Sequence, residues 1–382
     1  MKNEEQPLFV SDPQTNKEGM SSYTSYTLQG SKLSEGRSRR YRDFDALRKK
    51  MVERWPGIYI PNIPHKKYIG NQDKETIGLR MQMLNLFLKK ICQINYLYKS
   101  EELTTFLEAS NDIRKNLDNL KPDTIENLLR KYSQVFTDYD DNFDVIEGKK
   151  EQEEFSKKLL ANYPKLKEFR HLVFQEKENY YQTHKIETKV LNLITLYEKN
   201  ILTEFVDQDE DKKVLFNMKN IELCKDITNT QEKMINPYDR LYQSLTEDYL
   251  ATEAMKDALD GLKYLQDYYM KLTRNLTTTN VALNDLQAGK TSIKNIFGKR
   301  EGNINKLTQQ KEKLETDIDH LGQIIKISTF NMQNQIKNFK VKSLEHYYAQ
   351  LARIKKDTES NAKLTDDLWE TVCKDPNISS TD

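Results

Sequence analysis

Between residues 7 and 42 apolar and polar positions alternate, first at Leu8-Phe9-Val10 and then at Tyr23-Thr-Ser-Tyr26-Thr-Leu28, with Gly-containing breaks between the runs. A period of two sends successive side chains to opposite faces, so this stretch predicts short antiparallel strands forming a three-stranded sheet. The period then changes. Phe44, Leu47 and Met51 predict a helix from Phe44 to Arg54, directly after the third strand and ended by Pro56-Gly57. Ile77, Met81, Leu84, Leu88 and Ile91 predict a second helix over about Lys74 to Cys92, and Leu103, Phe106 and Leu107 a further short one.

Beyond Pro122, which suits the first turn of a helix, the pattern is helical with few interruptions. Ile125, Leu128, Leu129, Tyr132, Val135 and Phe136 make one apolar stripe opposed by Glu126, Asn127, Arg130 and Lys131. Two roles suit that short amphipathic helix: shallow insertion into a membrane, or docking of the two modules. The acidic segment Asp138 to Asp144 follows. From Glu147 onward the spacing predicts three long helices, broken at Asp207-Gln-Asp-Glu-Asp211 and at Gly298-Lys-Arg-Glu-Gly302. Each would run for roughly 60 to 80 residues, or about 90 to 120 Å at the α-helical rise, far beyond a compact domain. Three such helices bury their stripes poorly alone, which predicts an elongated bundle completed by an antiparallel dimer.

Composition agrees with a mainly helical chain: 31% charged, 37% apolar, 12 Gly and 9 Pro in 382 residues. The net charge of +1 is unevenly spread, since residues 1–110 carry 18 Lys and Arg against 13 Asp and Glu. Cys92, Cys224 and Cys373 are few, odd in number and far apart, as suits a reducing intracellular compartment. No apolar run approaches about 18 residues, so the expectation is a soluble protein whose membrane contact is peripheral.

The candidate chemistry sits in the basic first module. Arg39-Arg40-Tyr41-Arg42-Asp43-Phe44 is followed by Pro61-x-x-Pro64, then Lys66, then Arg80 within the second helix. Guanidinium groups make planar, bidentate contacts with phosphate oxygens, lysine supplies a point charge, and an aromatic ring packs beneath a sugar-like ring. Three cations and one aromatic suit one phosphorylated inositol. Strand order, helices and motif together resemble the PX (phox homology) domain. The resemblance implies binding of phosphatidylinositol 3-phosphate, with Arg40 on the 3-phosphate, Tyr41 under the inositol ring, Lys66 on the 1-phosphate and Arg80 on the ring hydroxyls. The loop lacks the paired prolines common in that family, which leaves Lys67 as an alternative to Lys66. The competing reading makes Arg40 and Arg80 ordinary surface cations and Tyr41 a core residue. Ile63 and Tyr68, beside the loop, are candidates for membrane contact or for burial against the domain.

Phe339-Lys-Val-Lys-Ser-Leu344, Tyr347-Tyr348 and Leu368-Trp369-Glu370 resemble the third helix of a sorting-nexin BAR domain, and Leu262 to Leu272 its second. The fold class expected is therefore an α+β PX domain followed by an all-α, elongated three-helix BAR-like bundle. Its divisions are a disordered N-terminus at 1–6, PX at 7–112, a linker with the amphipathic helix at 113–145, BAR at 146–375 and a tail at 376–382. Lys290, Lys294, Lys299 and Arg300 cluster where the second long helix turns into the third, a position suited to an anionic leaflet or simply to a solvated face. No P-loop, GxSxG, HExxH or paired-cysteine zinc motif occurs, and His65, His171, His184, His320 and His346 do not pair at i, i+4, so no enzyme, cofactor or metal is expected. Interleaved Lys and Asp/Glu argue against nucleic acid. The resemblance implies a cytoplasmic protein peripheral on endosomes, pairing with itself or another PX-BAR sorting nexin, serving cargo transport with retromer-like or autophagy machinery, and sensing or generating tubular curvature. The alternative is a non-curving PX scaffold with a coiled-coil arm that recruits partner proteins.

Overall fold

The computed structural model describes residues 8–18, 21–64, 74–140, 142–197, 200–201, 229–230, 232–288 and 300–373. Strands β1 (Leu8–Glu18), β2 (Ser21–Gly30) and β3 (Arg37–Arg40) form an antiparallel sheet in the order β1-β2-β3. The ladder is interrupted between Ser11 and Gln14, where Asp12 takes a positive φ of 49°. Leu8, Val10, Tyr26 and Leu28 point inward, as their alternation requires.

Helix α1 (Tyr41–Arg54) begins three residues before the expected Phe44, because the Asp43 carboxylate accepts the Arg40 backbone N–H at 2.8 Å and fixes the strand-to-helix junction. Its end is as read from Pro56-Gly57: Gly57 has φ 79°, a conformation that costs glycine nothing. Helix α2 (Lys74–Gln93) covers the sheet, and α4 (Glu101–Glu108) packs on α1. Two short helices were missed by the periodicity, α3 (Asn95–Tyr98) and α5 (Ile113–Asp118), each shorter than two turns. Helix α6 (Ile125–Val135) starts at an N-cap, Thr124, whose hydroxyl accepts the Asn127 N–H; Pro122 lies ahead of the helix, not in its first turn.

Among the described residues three long helices follow: α7 (Val145–Tyr197), α8 (Pro237–Gln287) and α9 (Arg300–Cys373). They contain 53, 51 and 74 residues, so two are shorter than expected. Gly302 falls inside α9 rather than ending a helix, since one glycine costs only about 1 kcal/mol in a helix this long. The Asp207 to Asp211 turn lies outside the described residues.

The chain falls into two compact units, Met1–Ala161 with Leu250–Phe339, and Asn162–Tyr249 with Lys340–Asp382. In the first, Phe44, Leu47 and Met51 of α1, Leu84, Phe87 and Leu88 of α2 and Phe106 of α4 join Met255 and Leu262 of α8 and Ile324 and Met332 of α9 in one continuous core. In the second, Tyr163 stacks on Tyr249, Arg170 lies over the Tyr249 ring at 4.9 Å, and Leu191 meets Leu368.

Candidate functional site

The junction of β3 and α1 sets the direction of two adjacent arginines. In the ladder Tyr26 faces Arg39 and Ser25 faces Arg40. Arg39 points inward with its guanidinium on the carbonyls at the end of α4, while Arg40 points away, its guanidinium carbon 3.3 Å from the Tyr23 ring centroid. Strand alternation thus keeps Arg40 out of the core. Tyr23, a partner that the sequence reading did not name, sits in β2 within the same alternating run that predicted the sheet.

Tyr41 opens α1 half-buried, and its hydroxyl donates to the Pro64 carbonyl, tying the loop after Ile60 to the helix. Arg80 comes from α2 and places its guanidinium carbon 5.3 Å from the Tyr41 ring centroid. Residues 39 positions apart in sequence thus meet, because α2 crosses the sheet beside the start of α1. Burial pushes the Tyr41 hydroxyl up to about 12, with Asp45 adding to the rise and the Arg80 and Arg48 cations opposing it. Tyr26 is likewise raised by burial, and again Arg80 pulls the other way. Arg80 over Tyr41 and Arg40 over Tyr23 thus each pair a guanidinium with an aromatic ring.

Lys66, Lys67 and Tyr68 lie outside the described residues, as do Lys290, Lys294 and Lys299; Arg300 opens α9, with its side chain outside them. Ile63 is described, and it is 3% exposed in the core. As a membrane-contacting residue it is therefore corrected: its side chain is spent on the domain's own packing. The same holds for the α6 stripe. Leu128 and Tyr132 are buried, Tyr132 stacks on Trp55 and donates its hydroxyl to Pro56 O at 2.7 Å, and Phe136 packs edge-on to Tyr96. Its apolar face is closed by the first unit and not offered to a bilayer.

Ser244, His346 and Asp248 form a group that spacing alone did not suggest, with Asp248 2.9 Å from His346 Nδ1. The Ser244 hydroxyl lies 3.4 and 3.1 Å from the two ring nitrogens, between them and not in line with either, and Ser244 is 4% exposed. A general base needs an in-line partner and an accessible nucleophile, so this is interhelical packing of α8 on α9. Among the described residues no helix is long and apolar enough to cross a membrane.

Residues 32–110 match the family model described as PX domain. Sorting nexin 1 of Arabidopsis thaliana is 29% identical over 178 residues, 44% of this chain and 42% of that protein. The vacuolar protein sorting-associated protein vps5 of Schizosaccharomyces pombe is 35% identical over 111 residues, 27% of this chain and 19% of that one. The matched stretch thus covers less than half of either relative. The cryo-EM structure of the SNX-BAR Mvp1 tetramer aligns over 96% of this chain and 100% of its own, with a TM-score of 0.65 at 15% identity, a likeness of fold. With a PX domain at residues 32–110, sorting nexins among its relatives and the fold of an SNX-BAR protein over nearly its whole length, the chain is similar to the PX-BAR sorting nexins.

Proposed function

We infer that this protein is a non-enzymatic, peripheral membrane protein of endosomal sorting, which binds phosphatidylinositol 3-phosphate through Arg40, Tyr41, Lys66 and Arg80. Lys67 is the alternative ligand for the 1-phosphate. The observation that carries this reading is the meeting of Arg80 with Tyr41, 5.3 Å apart, next to Arg40. Two cations from separate elements, Arg80 over the Tyr41 ring and Arg40 beside Tyr41 in the chain, would supply the bidentate and stacking chemistry that a phosphoinositide headgroup needs.

The helical module would add avidity and shape. In the second unit Leu172, Ile186, Leu193, Leu344 and Tyr348 are 51%, 60%, 63%, 57% and 62% exposed, more apolar surface than a solvated bundle carries without a partner. A second copy, or another PX-BAR sorting nexin, covers it in this reading; the Mvp1 structure is itself a tetramer. Two headgroup sites on one assembly turn the second binding event into an effectively intramolecular one. Lys290, Lys294, Lys299 and Arg300 would supply further contact with an anionic leaflet, at about 1 kcal/mol each.

Flotation with vesicles containing phosphatidylinositol 3-phosphate tests the site. Arg40→Ala and Arg80→Ala should each abolish it, and retained binding by both overturns the assignment. Electron microscopy of the same vesicles at high coverage tests curvature. Bound but undeformed vesicles would leave the scaffold reading in its place.

A further inference from the structure

Segment 61–64 belongs to no strand or helix, yet it is held at every residue. The Pro61 carbonyl accepts from Arg48 Nε at 3.1 Å, the Asn62 carbonyl oxygen of the side chain accepts the Ile63 N–H at 2.9 Å, Ile63 is buried, and Pro64 O accepts the Tyr41 hydroxyl. Two of these ties continue into the long helix α8. Arg48 Nη2 also donates to Asp257 Oδ2 at 2.5 Å, and Asn62 Nδ2 donates to Glu253 Oε2 at 3.1 Å. Glu253, Asp257 and Gly261 recur every four residues and so share one face of α8. The third member completes the seat: a Cβ on Gly261 would lie 2.6 Å from the Gly57 nitrogen, so the turn after α1 rests directly on the α8 backbone.

Through these contacts α8 reaches the candidate headgroup site. Arg48 bridges α8, the loop and, by its charge, the Tyr41 hydroxyl, whose pKa it lowers against the larger effect of burial. One end of the loop is therefore tied to α8 and the other to the ring on which Arg80 sits. We propose that Glu253 and Asp257 of the helical module are positioning residues for phosphoinositide binding, holding segment 61–64 and Arg48 so that the conformation of α8 sets the affinity of the PX site. This rests on the headgroup reading above. By linkage, a bound headgroup then stabilises the seat of the PX domain on α8 to the same extent.

The sign of the effect separates positioning from plain electrostatics. Glu253 and Asp257 are negative, so if they acted only as surface charges, removing them would strengthen binding to an anionic vesicle. Positioning predicts weakening. Alanine is a good helix former, so the double variant Glu253→Ala/Asp257→Ala leaves α8 intact, and circular dichroism verifies this. Vesicles with phosphatidylinositol 3-phosphate are compared with vesicles of equal charge made with phosphatidylserine alone. The Ala pair should bind the first about 10-fold more weakly, within the usual range of coupling between sites, and the second no more weakly than the wild type. Glu253→Gln/Asp257→Asn, which removes the same charges but keeps the acceptors, should bind the first more tightly than the Ala pair does. Arg80→Ala is run alongside. If it loses headgroup binding while the Ala pair matches or exceeds the wild type, this proposal is overturned and the headgroup reading stands. Retained headgroup binding by Arg80→Ala, and by Arg40→Ala measured beside it, overturns both.

Discussion

Arg39 and Arg40 are neighbours in the chain and opposites in use. Arg39 is 2% exposed, and its guanidinium donates to Phe106 O at 2.7 Å, Leu107 O at 3.0 Å and Ala109 O at 2.9 Å, closing the C-terminal end of α4 with a positive charge. Arg40, one residue on, lies over Tyr23. Removing Arg39 leaves three carbonyls without that donor, at about 1 to 3 kcal/mol for each that stays buried. Arg39→Ala is thus expected to lower the unfolding free energy by about 3 kcal/mol or more in denaturant titration, whereas Arg40→Ala changes it by about 1 kcal/mol or less while removing headgroup binding. Equal destabilisation by the two would contradict this division of labour.

Asn85 of α2 covers the outer edge of β1 at Val10. Its side chain accepts the Val10 N–H at 2.7 Å and donates to the Val10 carbonyl at 2.9 Å, so both backbone groups of Val10 are used and neither is open to another chain. Asn85→Leu keeps the volume and loses both bonds. The expected cost is about 1 to 3 kcal/mol, with faster amide exchange at Val10 as the local signature; unchanged exchange there would refute the edge role.

Much of this was legible locally. The strands and helices that carry Arg40, Tyr41 and Arg80 follow from strand alternation and helical period, because both are set by residues within a turn or two; the roles expected of the three came from the resemblance of their motif to the PX domain. The partners were not legible. Arginine is seldom buried, and nothing in Arg39 itself announces that α4 ends beside it. The stripe on α6 was plain, but its occupant, Trp55, lies far back in the chain, so a bilayer and a folded domain were equally good covers. Glu253 and Asp257 were two of 59 acidic residues until the fold brought them to Asn62 and Arg48, 191 and 209 positions away.

Gly261 is expected to be intolerant of substitution although it lies within a helix, where alanine is ordinarily better by about 1 kcal/mol. A methyl group there meets Gly57 backbone at 2.6 Å and cannot be relieved by rotating a side chain. Gly261→Ala should destabilise the first unit by about 1 to 3 kcal/mol through forced separation of the two backbones. A rise in melting temperature, the usual result of replacing a helical glycine, would sink the argument.

Alkaline pH should loosen the fold in a defined window. Burial raises the Tyr41 and Tyr59 hydroxyls from an ordinary value of 10.0 to about 12. Their raised folded pKa contributes stability that is complete below pH 10 and is lost as pH climbs from 10 through 12, because the unfolded chain ionises first. Melting temperature should fall across that interval, and phenolate absorbance should rise later in the native protein than in the unfolded chain. Cys92 behaves alike: burial lifts its thiol from 9.0 to about 11, so alkylation at neutral pH should be about 100-fold slower than for a free thiol, as read by peptide mass spectrometry.

Tyr132 decides between the two roles open to α6. It is fully buried, its ring centroid lies 6.0 Å from that of Trp55 at an interplanar angle of 14°, and its hydroxyl holds Pro56 O at the turn where α1 ends. Lys131 alongside covers the Trp55 ring at 3.8 Å and donates to Arg54 O at 2.9 Å. A helix so anchored is a structural brace. Tyr132→Phe should cost about 1 kcal/mol for the lost bond, and Tyr132→Ala about 3 to 5 kcal/mol for the vacated core. Both should leave the vesicle affinity of the folded molecules unchanged. An insertion helix would respond the other way, with stability kept and vesicle binding weakened, and that outcome would return the α6 stripe to the membrane.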